Sequence, residues 1–276
     1  MTTDTTSLAP APTGPASPRS DGGMRTSLRI LAVGLALLTV AWGALTLVSL
    51  LARATEHHSA TYEGIHAVDL DLAFESVQIV GVADATSVTM DRSYTWSLSK
   101  PSIGQRRDGD RLVITSSGCG FNPGLSCSGK VDLVVPEGIT VRVRTGNSGL
   151  TLRDLTGDLD AATSNGSVHA SNLTGRVNLG SSNGAIEASA LRSDRIDAHT
   201  SNGSVRLSFD VAPTAATASS SNGSVEVVVP RGGPAYRVIA TTSNGTRDIA
   251  VPTDPSSQRT IEARTSNGSV RVLERP

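Results

Sequence analysis

The chain has 276 residues, with 24 Lys or Arg against 25 Asp or Glu and a formal net charge of −1. A balance so near zero excludes a general electrostatic pull toward nucleic acid, and no nucleic-acid partner is expected. Aromatic residues make up only 3% of the chain, which suits a narrow core rather than a deep ligand pocket.

Residues 1–27 are rich in Thr, Ser, Ala and Pro, with Pro10, Pro12, Pro15 and Pro18 at no apolar period. Such a stretch cannot bury enough surface to offset its chain entropy, so it is expected to be a disordered cytoplasmic tail. Residues 28–52 follow as a transmembrane helix. The 23 residues from Ile30 to Ala52 carry no charge and are bracketed by Arg29 and Arg53. As a helix they would reach ~34 Å, enough for a ~30 Å hydrocarbon core. Arg19, Arg25 and Arg29 precede the span, which places the N-terminus in the cytoplasm and the C-terminal domain outside the cell membrane. The rival is a cleaved signal peptide with Ala52-Arg53-Ala54 at the cut; it exports the rest of the chain equally.

Residues 53–65 read as a short polar linker. Its adjacent His57 and His58 lack further ligands at metal spacing and read as solvated. From residue 66 to 144 the chain is a less regular β region. Val68, Leu70, Leu72 and Phe74 share one parity, with Asp69 and Asp71 between them, the pattern of a half-buried strand. This half is either irregular coils or a cap, since terminal coils of a stack must differ from inner ones. Tyr94 and Trp96 share a strand parity with Val88, Met90 and Arg92, and core filling is the expected use of the two rings. Cys119 and Cys127 are the only cysteines and flank a Gly/Pro loop. In an exported domain they read as a disulfide closing that loop.

Residues 145–276 repeat one word. Ser-Asn-Gly-Ser-Val or a close variant places Asn165-Gly166, Asn183-Gly184, Asn202-Gly203, Asn222-Gly223, Asn244-Gly245 and Asn267-Gly268, with a looser copy at Asn147. Successive asparagines are 18, 18, 19, 20, 22 and 23 residues apart. Asn-Gly permits a sharp reversal. Isolated hairpins would need the same pair, but only a solenoid requires a near-constant period. Before each word every second residue is small or apolar: Leu159, Ala161, Thr163, then Val177, Leu179, Ser181, then Ile196, Ala198, Thr200, and so on to Ile261, Ala263, Thr265. These rows predict an aliphatic, an alanine and a Ser/Thr column. The fold class expected is therefore all-β, a parallel β-solenoid with two short strands per coil of about 18–23 residues, preceded by one transmembrane helix.

Little in these repeats points to catalysis. His169, Glu187, Arg206, Glu226, Asp248 and Arg271 fall on one outward row, read as a mixed charge ladder with one like-charge exception, Glu226 beside Asp248. Asp154, Asp158 and Asp160 near a turn read as solvated carboxylates rather than a calcium site. No catalytic residue, metal or cofactor is expected. The turn opposite the Asn-Gly corner lengthens along the chain, at Asp210–Thr214, Pro230–Pro234 and Pro252–Ser257. Such an edge is where partners of solenoids bind.

The single N-terminal span, the recurrent Ser-Asn-Gly-Ser-Val and the preceding Val135-Pro136-Glu137-Gly138-Ile139-Thr140-Val141 together resemble the bacterial "putative adhesin" family of unknown function, from about Ala67 to the C-terminus. The resemblance implies a solenoid-like domain of the cell envelope and transfers no catalytic residue. The expected function is a membrane-anchored, extracytoplasmic, non-catalytic binding or scaffolding module. Its partner would be an envelope component or another protein that the sequence does not identify. The alternative is a polysaccharide-active enzyme on a β-helix scaffold.

Overall fold

The computed structural model describes residues 22–51, 53–97, 99–118 and 127–275. Residues 22–51 form one helix, α1 (Gly22–Leu51). It starts upstream of residue 28, and residues 22–27 contain no proline to stop it there. Within it Leu28–Leu47 is long and apolar enough to cross a membrane. The expected tail otherwise lies outside the described residues.

Ser49–Pro276 is a second unit, built of strands. In chain order these are β1 (Ala54–Glu63), β2 (Ala67–Leu72), β3 (Glu75–Val82), β4 (Ser87–Trp96), β5 (Ile103–Asp108), β6 (Arg111–Ser116) and β7 (Cys127–Pro136). They continue as β8 (Thr140–Thr145), β9 (Leu150–Leu155), β10 (Leu159–Thr163), β11 (Val168–Leu173), β12 (Val177–Ser181), β13 (Ile186–Leu191) and β14 (Arg195–Thr200). The last are β15 (Val205–Phe209), β16 (Ala215–Ser220), β17 (Val225–Val229), β18 (Arg237–Asn244), β19 (Arg247–Ala250), β20 (Thr260–Asn267) and β21 (Val270–Glu274). They make two sheets, of 11 and 10 strands, that face each other across one core. Pairs of consecutive strands, one in each sheet, form the rungs of a parallel solenoid.

The inner columns run in register along the ten-stranded sheet. Leu159, Val177, Ile196, Ala216, Ile261 and Val238 lie side by side; so do Ala161, Leu179, Ala198, Ala218, Ala263 and Ala240. The Ser/Thr column is a set of ties between rungs. Thr163 Oγ1 donates to the Ser148 carbonyl, Ser181 Oγ to Gly166, Thr200 Oγ1 to Gly184, Ser220 Oγ to Gly203 and Thr265 Oγ1 to Gly223, at 2.7 to 3.0 Å. A buried hydroxyl is satisfied and a corner carbonyl is capped in one bond.

Rung order is not chain order. β20 lies between β16 and β18, and β21 between β17 and β19. The last rung in sequence is thus the last but one in the stack, and β18–β19 forms the outer end. The expected succession of neighbours is corrected here: Asp248 does not follow Glu226, because Arg271 stands between them. The physical gain is at the end itself. β19 carries Arg247 at the inward position where other rungs carry Val, Ile or Leu, and all four of its residues are exposed. Arg247 donates to the Ala240 carbonyl across the open end. An outermost rung can hold that guanidinium in solvent and an inner one cannot.

The N-terminal end is shuffled in the same way. β2 lies between β6 and β8, and β3 between β7 and β9, so β6–β7 is the outer parallel rung. Three antiparallel strands then close this end: β4 on β7, β1 on β4 and β5 on β6. Residues 66–144 are therefore both coils and cap. Residues 53–65, expected as linker, are mainly β1, paired with β4 from Ala54↔Trp96 to Glu63↔Ser87. Its polarity is that of an edge strand: Ala60 and Tyr62 touch the core while His57 and His58 are exposed.

Candidate functional site

The corner residues form one column on the surface. Each Asn Nδ2 donates to the Oδ1 of its neighbour at 2.7 to 2.9 Å, in the order Asn244, Asn267, Asn222, Asn202, Asn183, Asn165, Asn147. The glycine beside each asparagine is required by packing. A Cβ on Gly166, Gly184, Gly203 or Gly223 would collide with the backbone of the preceding corner. Gly245 and Gly268 meet the same wall, from Gly268 and Gly223. The corner is thus fully used in holding rungs together. Of the expected disulfide, Cys127 opens β7, while Cys119 lies outside the described residues.

On the 11-stranded sheet the outward row runs His169, Glu187, Arg206, Glu226, Arg271, Asp248, and from Glu187 onward its charges alternate in sign. Arg206 lies 3.7 Å from Glu187 and 3.0 Å from Glu226, and Arg271 3.5 Å from Glu226. These groups line an open surface depression of about 430 Å³. The acids are matched to bases by the shuffled rung order, and the side chains other than Glu226 are more than half exposed. The turn carboxylates are likewise engaged. Asp154 accepts from Asn172, Asp158 from the Arg176 N–H, and Asp160 from Asn178. No group of three or more metal-ligating side chains occurs among the described residues.

The lengthened turns come together at the opposite edge. Arg259 Nη1 donates to the carbonyls of Ala212 and Pro213 at 3.0 and 2.9 Å, tying the third lengthened turn to the first. Arg275 pairs with Asp210 at 2.8 Å and donates to the Phe209 carbonyl. Tyr236 donates its N–H to Pro252 and accepts from Asp254, so it joins the second turn to the third. Its ring is 1% exposed and, with Phe209, gives this lobe a small core. Burial pushes the Tyr236 phenol up from its ordinary pKa, and Arg259 works against that. Val211 stands out from the lobe, 48% exposed. Lengthening of the turns is visible in sequence. The arginines that weld them are not, because Arg259 and Arg275 carry no periodic signal.

At the capped end Tyr94 is buried and packs edge-on against Phe74, at 6.4 Å between ring centres. Trp96 is only half-buried and carries the Lys100 ammonium 5.3 Å from its ring centre. Lys100 pairs with Glu56 and holds that carboxyl below its usual range. Burial first, and the Glu75 carboxylate second, push the Tyr94 phenol far above its ordinary pKa. The core-filling expectation thus fits Tyr94 better than Trp96.

A second column was not foreseen. Asp154, Asn172 and Ala190 sit at φ 57°, 52° and 50°, one above another at the ends of β9, β11 and β13. Asp and Asn are usual in that left-handed region, and Ala is not.

No curated protein matches the chain significantly. Among solved structures it is similar to a "putative cell adhesion protein" from Clostridium sporogenes, at 12% identity and a TM-score of 0.38, over 80% of this chain and 100% of that one. It is also similar to a "putative adhesin" from Bacteroides fragilis, at 12% identity and a TM-score of 0.41, over 80% and 97% of the two chains. A third, a "putative adhesin" from Parabacteroides merdae, has 10% identity and a TM-score of 0.28, over 79% and 96%. Residues 155–273 match the family Toastrack DUF4097, from the last residue of β9 into β21. The repeat region of this chain is thus similar, over those residues, to the Toastrack DUF4097 family.

Proposed function

We propose that the chain is a non-catalytic binding or scaffolding module, anchored in the cell membrane by α1 with its N-terminus inside and its β domain outside. The welded lobe at Asp210–Thr214, Pro230–Pro234 and Pro252–Ser257 is its partner surface. The observation that carries this reading is the ion-paired charge row. Its acids and bases neutralise one another on an open sheet face, whereas a hydrolase or lyase needs acid, base and charge-stabilising groups converging on one reacting atom away from water. The lobe supplies what binding needs, a rigid base with exposed loops. The partner is an envelope component or a surface protein.

The test is capture of the full chain, in detergent, on isolated cell-wall and membrane fractions. Replacing the three lobe turns by the short turn of Leu173-Thr174-Gly175 should abolish retention. The triple change Glu187→Gln, Arg206→Gln, Glu226→Gln should leave it intact. Turnover of an envelope polysaccharide that disappears on Glu187→Gln alone would reverse the reading in favour of an enzyme. For topology, protease added to intact spheroplasts should digest the β domain and spare the N-terminal tail.

A further inference from the structure

We propose that Asn244–Gly245, at the open end of the amide column, is a site of spontaneous deamidation from which the inner corners are protected. The reaction needs only water. The backbone nitrogen of the residue after Asn loses its proton to solvent and bonds to the side-chain Cγ. The Cγ–NH2 bond then breaks and ammonia leaves. The resulting five-membered imide adds one water and opens to aspartate or isoaspartate. A following glycine favours the attack because no Cβ crowds the nitrogen. The chain carries this pair six times, so sequence alone would make all six comparably labile.

The fold makes them unequal. Asn165 and Asn183 each donate through Nδ2 and accept at Oδ1. The next N–H is also engaged, Gly166 to Thr163 Oγ1 at 3.1 Å and Gly184 to Ser181 Oγ at 2.9 Å. Asn267 has both side-chain bonds, and Gly268 N–H donates to the Asn244 carbonyl at 3.0 Å. Asn202 and Asn222 keep both side-chain bonds, although among the described residues the N–H groups of Gly203 and Gly223 have no acceptor; these two corners are held by the amide column alone. Asn244 keeps one, from its Nδ2 to Asn267. Among the described residues nothing donates to its Oδ1, and the Gly245 N–H has no acceptor. The asparagines of the column are all exposed, but Gly245, past the end of an edge strand, is exposed too, whereas Gly166 and Gly184 are buried. Asn147, at the other end of the column, has one side-chain bond too, but Ser148 follows it and brings a Cβ. A carboxylate at 244 could no longer donate to Asn267 Oδ1, so conversion would cut the amide tie of the outermost rung and add a negative charge there.

The experiment holds the full-length protein folded in detergent at mildly alkaline pH and follows each Asn-Gly peptide by mass spectrometry. Asn244 is expected to convert roughly tenfold or more faster than Asn165 and Asn183, a factor that two ordinary hydrogen bonds supply. In concentrated urea the six rates should converge. Equal rates at Asn244 and Asn165 in the folded protein would overturn the proposal, as would faster conversion at an inner pair. A spread that persists unchanged in urea would overturn it as well, since local sequence would then be its cause.

Discussion

The middle of the rod and its two ends are assembled on different rules. From β8 to β17 each rung stacks on the one before it in the chain, and the Asn-Gly corner fixes the register. At the C-terminal end the chain skips a position, builds outward and returns to fill the gap; at the N-terminal end it starts one rung in, adds the outer rung, and then crosses to the other side of the first. The middle is specified by what a rung needs from identical neighbours, the ends by what can tolerate water. Arg247, the exposed β19 and the antiparallel cap strands all sit where a further rung would otherwise dock.

That contrast can be broken most sharply at a corner. Gly184→Val would drive a side chain into the Gly166 carbonyl, and a loss of more than about 4 kcal/mol is expected. Gly104→Val, on the cap strand β5, would meet only the Thr115 hydroxyl, the movable end of a side chain, and should cost far less. Chemical denaturation of the two variants decides it; equal losses would mean that the corners are not closely stacked.

The next effect compares inner and outer alanines. Ala198→Phe should cost on the order of 1–3 kcal/mol or more by overpacking, because Ala198 is fully enclosed between Leu179 and Ala218. Ala240→Phe, on the outermost rung, can push toward solvent and should cost less. His199→Phe, facing outward beside Ala198, should cost least. A flat series would contradict the inside-outside assignment.

Tyr236 tests the lobe. Its hydroxyl is buried without a hydrogen-bond partner, so Tyr236→Phe is expected to leave stability unchanged or raise it by about 1 kcal/mol. The pH dependence follows from the sign of the shift. The folded-state pKa is raised above the unfolded value of about 10, so its contribution is fully present below that value and is lost as pH rises toward the folded one. Alkaline melts of the wild type should therefore fall more steeply above pH ~10 than those of the Phe variant, and identical slopes would count against the buried placement.

The smallest effect reads rung order directly. A double-mutant cycle between Glu226 and Arg271 should give a coupling of about 0.2–1 kcal/mol, the range for partly exposed ion pairs. A cycle between Glu226 and Asp248 should give about zero. Neighbours in simple chain order would show the reverse: repulsion between the two acids and no coupling to Arg271.

Much of the middle was legible before folding. Leu159, Ala161 and Thr163 and their successors alternate with period two, and a corner every 18 to 23 residues leaves one stacking solution. The lobe was legible as turns that grow, though not as a welded unit. Rung order was not, because the words at Asn222, Asn244 and Asn267 are interchangeable as neighbours and local pattern cannot rank them. Two marks of it were present: Glu226 met a like charge in simple order, and Arg247 occupied an inward position. Both make sense only with Asp248 and Arg247 at the end of the stack. β1 was missed for a related reason, since an edge strand with one wet side can be as polar as a linker.

The interleaved last rung also sets a condition on synthesis. Among the described residues, β18 pairs in its sheet only with β20, and β19 only with β21. Until residues 260–274 exist, the strands made just before them have nothing to dock on, and β16 and β17 present unfilled edges two rung spacings, roughly 10 Å, from the place β18 and β19 will take. A growing chain therefore cannot finish its rod from one end to the other. Residues 260–274 close it from within, and a chain that stops short of them loses the outer rung along with theirs.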